Sequence, residues 1–136
     1  MGKSLFDYAI GNPPYNADFN NSGQNGNYAQ PVYNDFMDAA NEVAEKVELI
    51  HPARFLFDAG STPKAWNEKM LNDPHFKVLH YEENASRVFP NTDIKGGVAI
   101  TYHDNSAVFG AIGIFTPYEE LNNILKKLFH DNVKSI

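Results

Sequence analysis

Four consecutive residues near the start of the chain, Asn12-Pro13-Pro14-Tyr15, have the types and order needed for chemistry on an amino nitrogen. Proline fixes φ and pushes the residue before it toward an extended conformation, so the segment is stiff. Asn12 offers a side-chain oxygen and Pro13 a carbonyl oxygen. Two such acceptors would hold the two hydrogens of a planar amine and localise its lone pair, which stabilises the charge that develops during methyl transfer. Tyr15 adds a flat surface on which a planar substrate can stack.

The apolar run at residues 5–11 predicts a short strand that ends just before these four residues. In open α/β sheets, ligands bind at the carboxyl ends of the strands. The simplest alternative is a proline turn that ends a buried strand, with Tyr15 as its apolar cap. The order of strand, glycine, amide, two prolines and aromatic ring is demanding and therefore favours the functional interpretation.

The segment from Asn12 to Tyr15 resembles the target-amine motif of the amino-group methyltransferases that use S-adenosylmethionine, which reads Asn/Asp-Pro-Pro-Tyr/Phe/Trp. A second segment contains Val88-Phe89-Pro90, a short polar spacer and then Ile94-Lys95-Gly96-Gly97-Val98. It is similar to the adenine-N6 DNA methyltransferases of restriction-modification systems, in particular the Eco57I-like group. The resemblance implies that Phe89 packs on a flipped adenine opposite Tyr15.

The resemblance also implies the remaining roles. Asn12, Pro13 and Tyr15 would be catalytic, and Asn12 would also contact the cofactor, S-adenosylmethionine. Pro14 would lie beside them against the substrate, which is double-stranded DNA. An adenine must leave the duplex to reach a buried methyl donor, and two aromatic faces offset part of the energy of flipping it.

Two basic residues are further candidates for substrate binding. Arg54 follows the second predicted strand and is expected at the ligand-binding edge of the sheet, where it would contact a phosphate or the target base, although a surface ion pair is the simpler interpretation. Lys95 would support the DNA backbone or merely protect the start of a strand. In the Asn- and Gly-rich loop at residues 16–30, Gln24 or Asn25 would read an adenine edge if the loop acts as a lid over DNA.

The cofactor half of a methyltransferase is not visible in the sequence. A Rossmann-like methyltransferase binds S-adenosylmethionine through a Gly-rich turn after its first strand and an acidic residue after its second. Neither precedes Asn12. The resemblance therefore implies that residues 1–115 are the second half of a catalytic domain and that residues 116–136 are a trailing helix leading to an absent region. We expect the chain to be inactive alone and to act with the rest of its own polypeptide, a cofactor-binding half and a target-recognition region.

Composition restricts the class of protein. The 136 residues include no cysteine, which excludes disulfides and thiolate metal sites, and the five histidines lack metal-ligand spacing. The net charge of −6 argues against strong DNA binding by this chain alone. Every apolar run is shorter than the roughly 20 residues that a membrane span needs, so a cytoplasmic protein without a membrane partner is expected.

Strands and helices alternate along the chain, which predicts an α/β fold built on a partial Rossmann-like methyltransferase sheet, mostly parallel, with helices on its faces. Strands are predicted at residues 5–11, 47–57, 76–81, 97–102 and 108–115, the last two as a C-terminal antiparallel hairpin. Helices are predicted from Pro31 through an apolar stripe ending at Val47, and from Thr62 to before Pro74. A capping box at Thr116 to Glu119 predicts a third helix.

Other functions also fit the motif. One is methyl transfer to a glutamine amide of a translation factor or to N2 of guanine in ribosomal RNA, since those enzymes share Asn-Pro-Pro-Tyr. Another is a non-catalytic interaction module that retains half of a methyltransferase sheet. The Phe89 segment favours adenine in DNA over both.

Overall fold

The computed structural model describes residues 4–17, 30–92 and 94–134, and for residues 16, 17, 30 and 129–134 it describes the backbone alone. Its helices and strands follow one another along the chain as β1 (Phe6–Gly11), β2 (Asn16–Ala17), β3 (Gln30–Pro31), α1 (Tyr33–Val43), β4 (Ala44–Pro52), α2 (Lys64–Leu71), β5 (Phe76–Glu82), β6 (Val98–Asp104) and α3 (Glu119–Lys134). Two short 3-10 helices, Arg54–Phe57 and Ala85–Arg87, follow β4 and β5.

Four of these strands form one sheet in the order β1-β4-β6-β5. β1 pairs parallel with β4, whereas β6 pairs antiparallel with both β4 and β5. Thus β1, β4 and β5 run in one direction and β6 runs in the other. The α/β class is confirmed, but the prediction of a mostly parallel sheet is wrong, because two of its three pairings are antiparallel.

The predicted C-terminal hairpin is also wrong. Residues 108–115 form no strand, and Gly110 and Gly113 have φ values of 88° and 68°, which a β-strand does not accommodate. Moreover, β6 already has β4 on one side and β5 on the other. The antiparallel partners of β6 are therefore β4 and β5, and β5 is joined to β6 by the long connection at residues 83–97.

Helix α1 is shorter than the sequence predicted at both ends. Pro31 pairs with Asn16 in the small β2–β3 sheet, so the helix begins only at Tyr33. At its other end Ala44 is extended, with φ −123° and ψ 144°, and the chain passes directly into β4. Val47 therefore belongs to the strand and not to the helical stripe, although it packs in the same core.

The loop predicted at residues 16–30 is thus bounded by a short antiparallel strand pair. Its central residues 18–29, including the lid candidates Gln24 and Asn25, lie outside the described residues. The lid therefore stays a prediction.

The second predicted strand ends earlier than expected, at Pro52. Proline has no N–H to donate, and the ladder with β6 ends at the pair Pro52 and Val98. The chain then turns into a 3-10 helix, in which the Leu56 N–H donates to the Ala53 carbonyl at 3.0 Å. The following helix, α2, lies where Thr62 and Pro74 predicted it.

The hydrophobic core lies on the face of the sheet that carries both α1 and α2. The ring centroid of Phe55 is 4.9 Å from that of Trp66 and 5.3 Å from that of His51, and the Tyr33 ring stacks parallel to the His51 ring. The predicted helices on the faces of the sheet therefore share one face. The buried apolar residues of this core are Tyr33, Met37, Ala40, Ala44, Val47, Leu49, Ala53, Phe55, Leu56, Trp66, Met70, Phe76 and Ala99.

The other side of β1, β4 and β6 is exposed, and we call it the open face, defined by Phe6, Tyr8, Ile10, Glu48 and Tyr102. Phe6, Tyr8 and Ile10 are 59%, 46% and 74% exposed. The Tyr8 hydroxyl donates to a Glu48 carboxylate oxygen at 3.2 Å, and its ring centroid is 6.5 Å from that of Tyr102. No helix of the described residues covers these side chains.

Helix α3 begins later than the predicted capping box implied. Asn122, and not Glu119, accepts the Thr116 N–H, at 2.7 Å, and the Thr116 hydroxyl accepts the Tyr118 N–H at 3.2 Å. The apolar side chains at Leu121 and Ile124 remain substantially exposed. Among the helices in the described ranges, none combines the length and apolar character that crossing a membrane requires.

Candidate active site

The predicted site residues that the structure describes lie on segments at one edge of the sheet. The segment beginning with Asn12 follows β1, Arg54 follows β4, and the segment that contains Phe89 follows β5. Because these three strands run in the same direction, their carboxyl ends meet at the same edge, and the reversed strand β6 begins there at Val98. We call this the carboxyl edge.

The residues that follow β1 divide into buried and accessible positions. Pro13 is buried, whereas Asn12 and Pro14 are exposed. The Tyr15 carbonyl accepts the Val32 N–H at 3.2 Å, which ties the segment to the start of α1. Pro13 therefore anchors the segment while the Asn12 side chain remains accessible at the carboxyl edge.

Tyr15 and Phe89 are in contact. Their ring centroids are 6.3 Å apart and their planes are inclined by 72°, an edge-to-face arrangement. Tyr15 follows β1 and Phe89 follows β5, which are the two outer strands of the sheet, so the pair spans the carboxyl edge above β4 and β6. The structure thus brings together two aromatic residues that are 74 positions apart in sequence.

Hydrogen bonds fix the backbone around Phe89. Its N–H donates to the Ala85 carbonyl at 2.8 Å, and its carbonyl accepts the Thr92 N–H at 3.2 Å. The Asn84 side chain caps the preceding 3-10 helix by accepting the Ser86 N–H at 3.1 Å. The ring of Phe89 is therefore presented by an ordered turn.

The Tyr15 side chain offers a ring and not an ionised oxygen. Burial raises its pKa to about 12, so the hydroxyl is protonated at neutral pH. The hydroxyl oxygen is buried without a hydrogen-bond partner among the described residues. The face of the ring is the part that suits a planar ligand.

The turn at residues 94–97 joins the three strands at the carboxyl edge. The Tyr81 hydroxyl, from β5, donates to the Gly96 carbonyl at 3.0 Å. The Ala53 N–H, at the end of β4, donates to the Gly97 carbonyl at 3.0 Å. The turn leads directly into β6 and is therefore fixed to both neighbours of that strand.

The structure explains why this turn contains two glycines. From the sequence, they are interpreted only as the start of a strand. Gly96 and Gly97 have φ values of 86° and 81°, which side chains other than that of glycine rarely accommodate. A Cβ on Gly97 would overlap the Glu82 carbonyl oxygen, and one on Gly96 would overlap Cγ of Arg54. The sequence pattern did not predict the contact between Gly96 and Arg54. The pair of adjacent glycines before an apolar run is the sequence feature that could have indicated it.

Comparison with known proteins identifies the family. The family model described as Eco57I restriction-modification methylase matches residues 1–89. The chain belongs to this family. The resemblance predicted from Asn12 to Tyr15 and from the Phe89 segment is therefore confirmed, although the family match ends at Phe89 and does not include Gly96.

The chain is also similar to a protein of Mycoplasma pneumoniae described as an uncharacterized adenine-specific methylase. The two are 30% identical over 107 residues, which cover 78% of this chain and 25% of that protein. The chain therefore spans about a quarter of the length of this curated relative. No solved structure matches the chain.

Membership of the methylase family implies a methyl-donor cofactor, typically S-adenosylmethionine, and the described residues provide little of a site for it. None of the described glycines lies in a turn that leads directly from a strand to a helix, as a dinucleotide-type cofactor loop requires. Gly11 precedes the two prolines, and Gly96 and Gly97 precede a strand. Asn12 is the single predicted cofactor contact in the chain.

Two histidines of the described residues lie together away from the carboxyl edge. His75 and His103 lie near one another, with ring centroids 6.1 Å apart, and His103 Nε2 is 2.9 Å from a carboxylate oxygen of Asp73. This group is at the opposite edge of the sheet, where β4 begins. In the described ranges, no three His, Asp or Glu side chains are arranged to hold a metal ion.

Proposed function

We propose that this chain forms the acceptor side of a DNA methyltransferase that acts on the N6 amine of a flipped adenine within a restriction-modification system. The observation that carries the proposal is the contact between Tyr15 and Phe89 at the carboxyl edge, next to Asn12. Two neighbouring aromatic side chains suit the two faces of a purine, and the family match supports methyl transfer.

In this proposal the chain binds and orients the amine. The Asn12 side-chain oxygen and the Pro13 carbonyl accept the two N6 hydrogens, which favours a tetrahedral nitrogen with a localised lone pair. S-adenosylmethionine, when bound by the complete enzyme, supplies the methyl group. Asn12 fixes the position of the nitrogen relative to the donor, so most of the catalytic effect of these residues is positional.

The two aromatic rings open to admit the base. In the present arrangement they contact each other edge to face, an interaction of about 0.5–1.5 kcal/mol that is lost when they separate. Stacking of a base on an aromatic side chain contributes about 1–3 kcal/mol. Two stacking contacts therefore exceed the single contact that they replace, and they offset part of the energy of flipping the base.

The DNA duplex lies against the carboxyl edge in this proposal, with Arg54, Lys95 and Pro14 as contacts. Arg54 and Lys95 are both exposed there, on adjacent turns. With a net charge of −6, the chain needs additional basic surface from elsewhere to hold a duplex. We assign that surface to a target-recognition region of the complete enzyme.

A cofactor-binding half would complete the sheet. β1 lies at one end of the sheet, and no strand of the described residues pairs with its outer edge. The open face beside it carries exposed apolar side chains that a folded partner would cover. In this proposal residues 1–115 are the second half of a Rossmann-like catalytic domain, and residues 116–136 lead to a further region.

Substitution of Asn12 tests the proposal in the methyltransferase assembled from this chain and its cofactor-binding half. Asn12→Ala should lower the rate of adenine-N6 methylation about 100-fold or more, by analogy with loss of one oxyanion-hole group. Asn12→Asp keeps an acceptor oxygen and should retain more activity. Asn72→Ala, at the exposed asparagine that ends α2, should leave the rate unchanged.

The acceptor is decided by offering labelled methyl donor with duplex DNA, ribosomal RNA and protein in parallel. Methylation of adenine in DNA supports the proposal. Preferential labelling of RNA or of a glutamine amide contradicts it, and absence of labelling in every substrate favours a non-catalytic interaction module.

A further inference from the structure

Two glycines that are far apart in sequence hold the Arg54 side chain between them. A Cβ built on Gly60 would lie 3.2 Å from Arg54 Cβ and 3.7 Å from its Nε. On the other side, a Cβ on Gly96 would overlap Arg54 Cγ. The hydrocarbon part of Arg54 therefore lies in a slot that exists because both neighbours lack a side chain.

Both glycines also need a backbone conformation that other residues rarely adopt. Gly60 has a φ of 87° and Gly96 a φ of 86°. Each of them sits in a segment with further restraints, because the Gly96 carbonyl accepts the Tyr81 hydroxyl and the Ala59 N–H donates to the Arg54 carbonyl at 3.2 Å. The slot is thus built from ordered backbone on two sides.

The slot lies at the carboxyl edge, at the ends of the two central strands β4 and β6. Arg54 follows β4, which is the neighbour of β1, and Gly96 precedes β6, which is the neighbour of β5. Tyr15 follows β1 and Phe89 follows β5. The restrained cation is therefore at the same edge of the sheet as the position proposed for the flipped base.

We propose that Gly60 and Gly96 are positioning residues that direct the Arg54 guanidinium to a phosphodiester group flanking the flipped nucleotide. This inference rests on the proposed function and names the part of the DNA that Arg54 contacts. The Tyr15 and Phe89 rings occupy the two faces of the base, and Asn12 with Pro13 occupies its amine. The nearest remaining group of opposite charge on the nucleotide is its phosphate.

The chemistry of the side chain supports a phosphate ligand. A guanidinium presents donors in a planar fork that matches two phosphate oxygens. Restraint of the hydrocarbon part before binding reduces the rotamer freedom that is lost when the contact forms. A lysine at the same place would keep the charge but not the fork.

The alternative interpretation of Arg54, as a surface ion pair, finds no support among the described residues. Within the part of the chain that the structure describes, the ion pairs join Lys64 to Asp58, Lys69 to Asp38, Arg87 to Glu82 and His103 to Asp73. The other arginine, Arg87, is thus paired with a carboxylate, and it provides a control of equal charge.

The first experiment measures how DNA affinity depends on salt, in the methyltransferase assembled from this chain and its cofactor-binding half. Arg54→Gln keeps most of the side chain and removes its charge. Loss of one phosphate contact should reduce the slope of log K against log salt by about 0.9 and raise the KM for DNA, similarly for every target sequence. Arg87→Gln should leave the slope unchanged. An unchanged slope for Arg54→Gln, or a change confined to one base of the target, would overturn the inference.

The second experiment tests the glycines. Gly96→Ala should displace Arg54 and reduce the salt slope as Arg54→Gln does. Gly110→Ala is the matched control, because Gly110 has a φ of 88° but a Cβ there would meet nothing within 4 Å. It introduces the same backbone strain and should not affect the slope.

Combining Gly96→Ala with Arg54→Ala separates positioning from general damage to the fold. The double variant should bind DNA about as well as Arg54→Ala alone, because the residue that Gly96 positions is already absent. If the two substitutions instead reduced DNA affinity independently, so that their effects added in the double variant, the positioning role would be contradicted. Failure of the proposed function is a separate outcome: in that case the wild-type enzyme does not methylate adenine in DNA.

Discussion

The two faces of the sheet differ sharply in how they are covered. On the face under α1 and α2, His51 and Phe55 are completely buried and their rings lie 5.3 Å apart. On the open face, Phe6, Tyr8 and Ile10 remain about half to three-quarters exposed. Both faces belong to the same strands, and β1 and β4 contribute apolar side chains to each.

This difference indicates which part of the fold the chain stabilises by itself. The core face is covered by α1 and α2, so residues of this chain pack its core. An exposed apolar surface on β1, next to a sheet edge, is a common mark of an interaction site. The carboxyl edge borders both faces, so the candidate active site lies between the covered core face and the exposed open face.

The largest expected change in stability comes from a substitution on the core face. Phe55→Ala removes a fully buried ring that contacts Trp66, His51 and Phe76, and it should lower the free energy of unfolding by about 3–5 kcal/mol. Phe6→Ala on the open face should change it by about 0.5 kcal/mol or less. Urea denaturation of the two variants measures both values. Equal losses would mean that the open face is covered by residues of this chain.

The second expected change in stability depends on pH and arises from His51. The Pro52 carbonyl, 2.9 Å from Nδ1, can only accept, so Nδ1 carries the proton and Nε2 accepts from the Thr101 hydroxyl at 2.6 Å. Burial lowers the pKa of His51 to about 4 from its ordinary value of 6.5. The folded protein therefore holds the neutral ring in a range where the unfolded chain binds a proton.

Between pH 6.5 and 4 the unfolded state binds more protons than the folded state, so stability falls as the pH falls through this range. Below pH 4, His51 causes no further change in stability. The wild type should lose about 2 kcal/mol between pH 7 and pH 5, up to a total of about 3 kcal/mol in more acidic solution. His51→Asn should lose much less, since the carboxylates that titrate in both proteins cancel in the comparison. Parallel pH profiles would refute the assignment.

Much of the core face and the first half of the site could be predicted from the sequence. The apolar stripe of α1 and the continuous segment from Asn12 to Tyr15 are local signals, which do not depend on tertiary structure. The contact between Tyr15 and Phe89 required the family resemblance, because sequence spacing does not report which loops meet at a sheet edge.

The failures have equally local causes. Residues 108–115 are apolar enough for a strand, but Gly110 and Gly113 adopt positive φ and β6 has no free side for another neighbour. The slot around Arg54 was not predictable, because Gly60 and Gly96 come together through tertiary structure. Strand order and glycine conformation are therefore the quantities that the sequence pattern leaves open.

The smallest expected effect is a change in the affinity of self-association through the open face. If this face and the β1 edge bind a partner, the isolated chain should self-associate there, and Ile10→Ser should weaken that association. Full burial of such a side chain contributes about 1.5–3 kcal/mol, which corresponds to about tenfold or more in Kd. Stability of the monomer should change by no more than about 0.5 kcal/mol, because Ile10 is already exposed in it.

Val108→Ser provides the control, since Val108 is 75% exposed, against 74% for Ile10, but lies in the connection after β6 and not on β1. Sedimentation velocity over a range of concentrations compares the wild type with the two variants. Ile10→Ser should shift the distribution toward monomer, whereas Val108→Ser should not. If both substitutions act equally, general surface apolarity and not the open face drives association. If only Ile10→Ser acts, the same substitution should weaken binding of the cofactor-binding half, because a second copy of the chain and that half would compete for one surface.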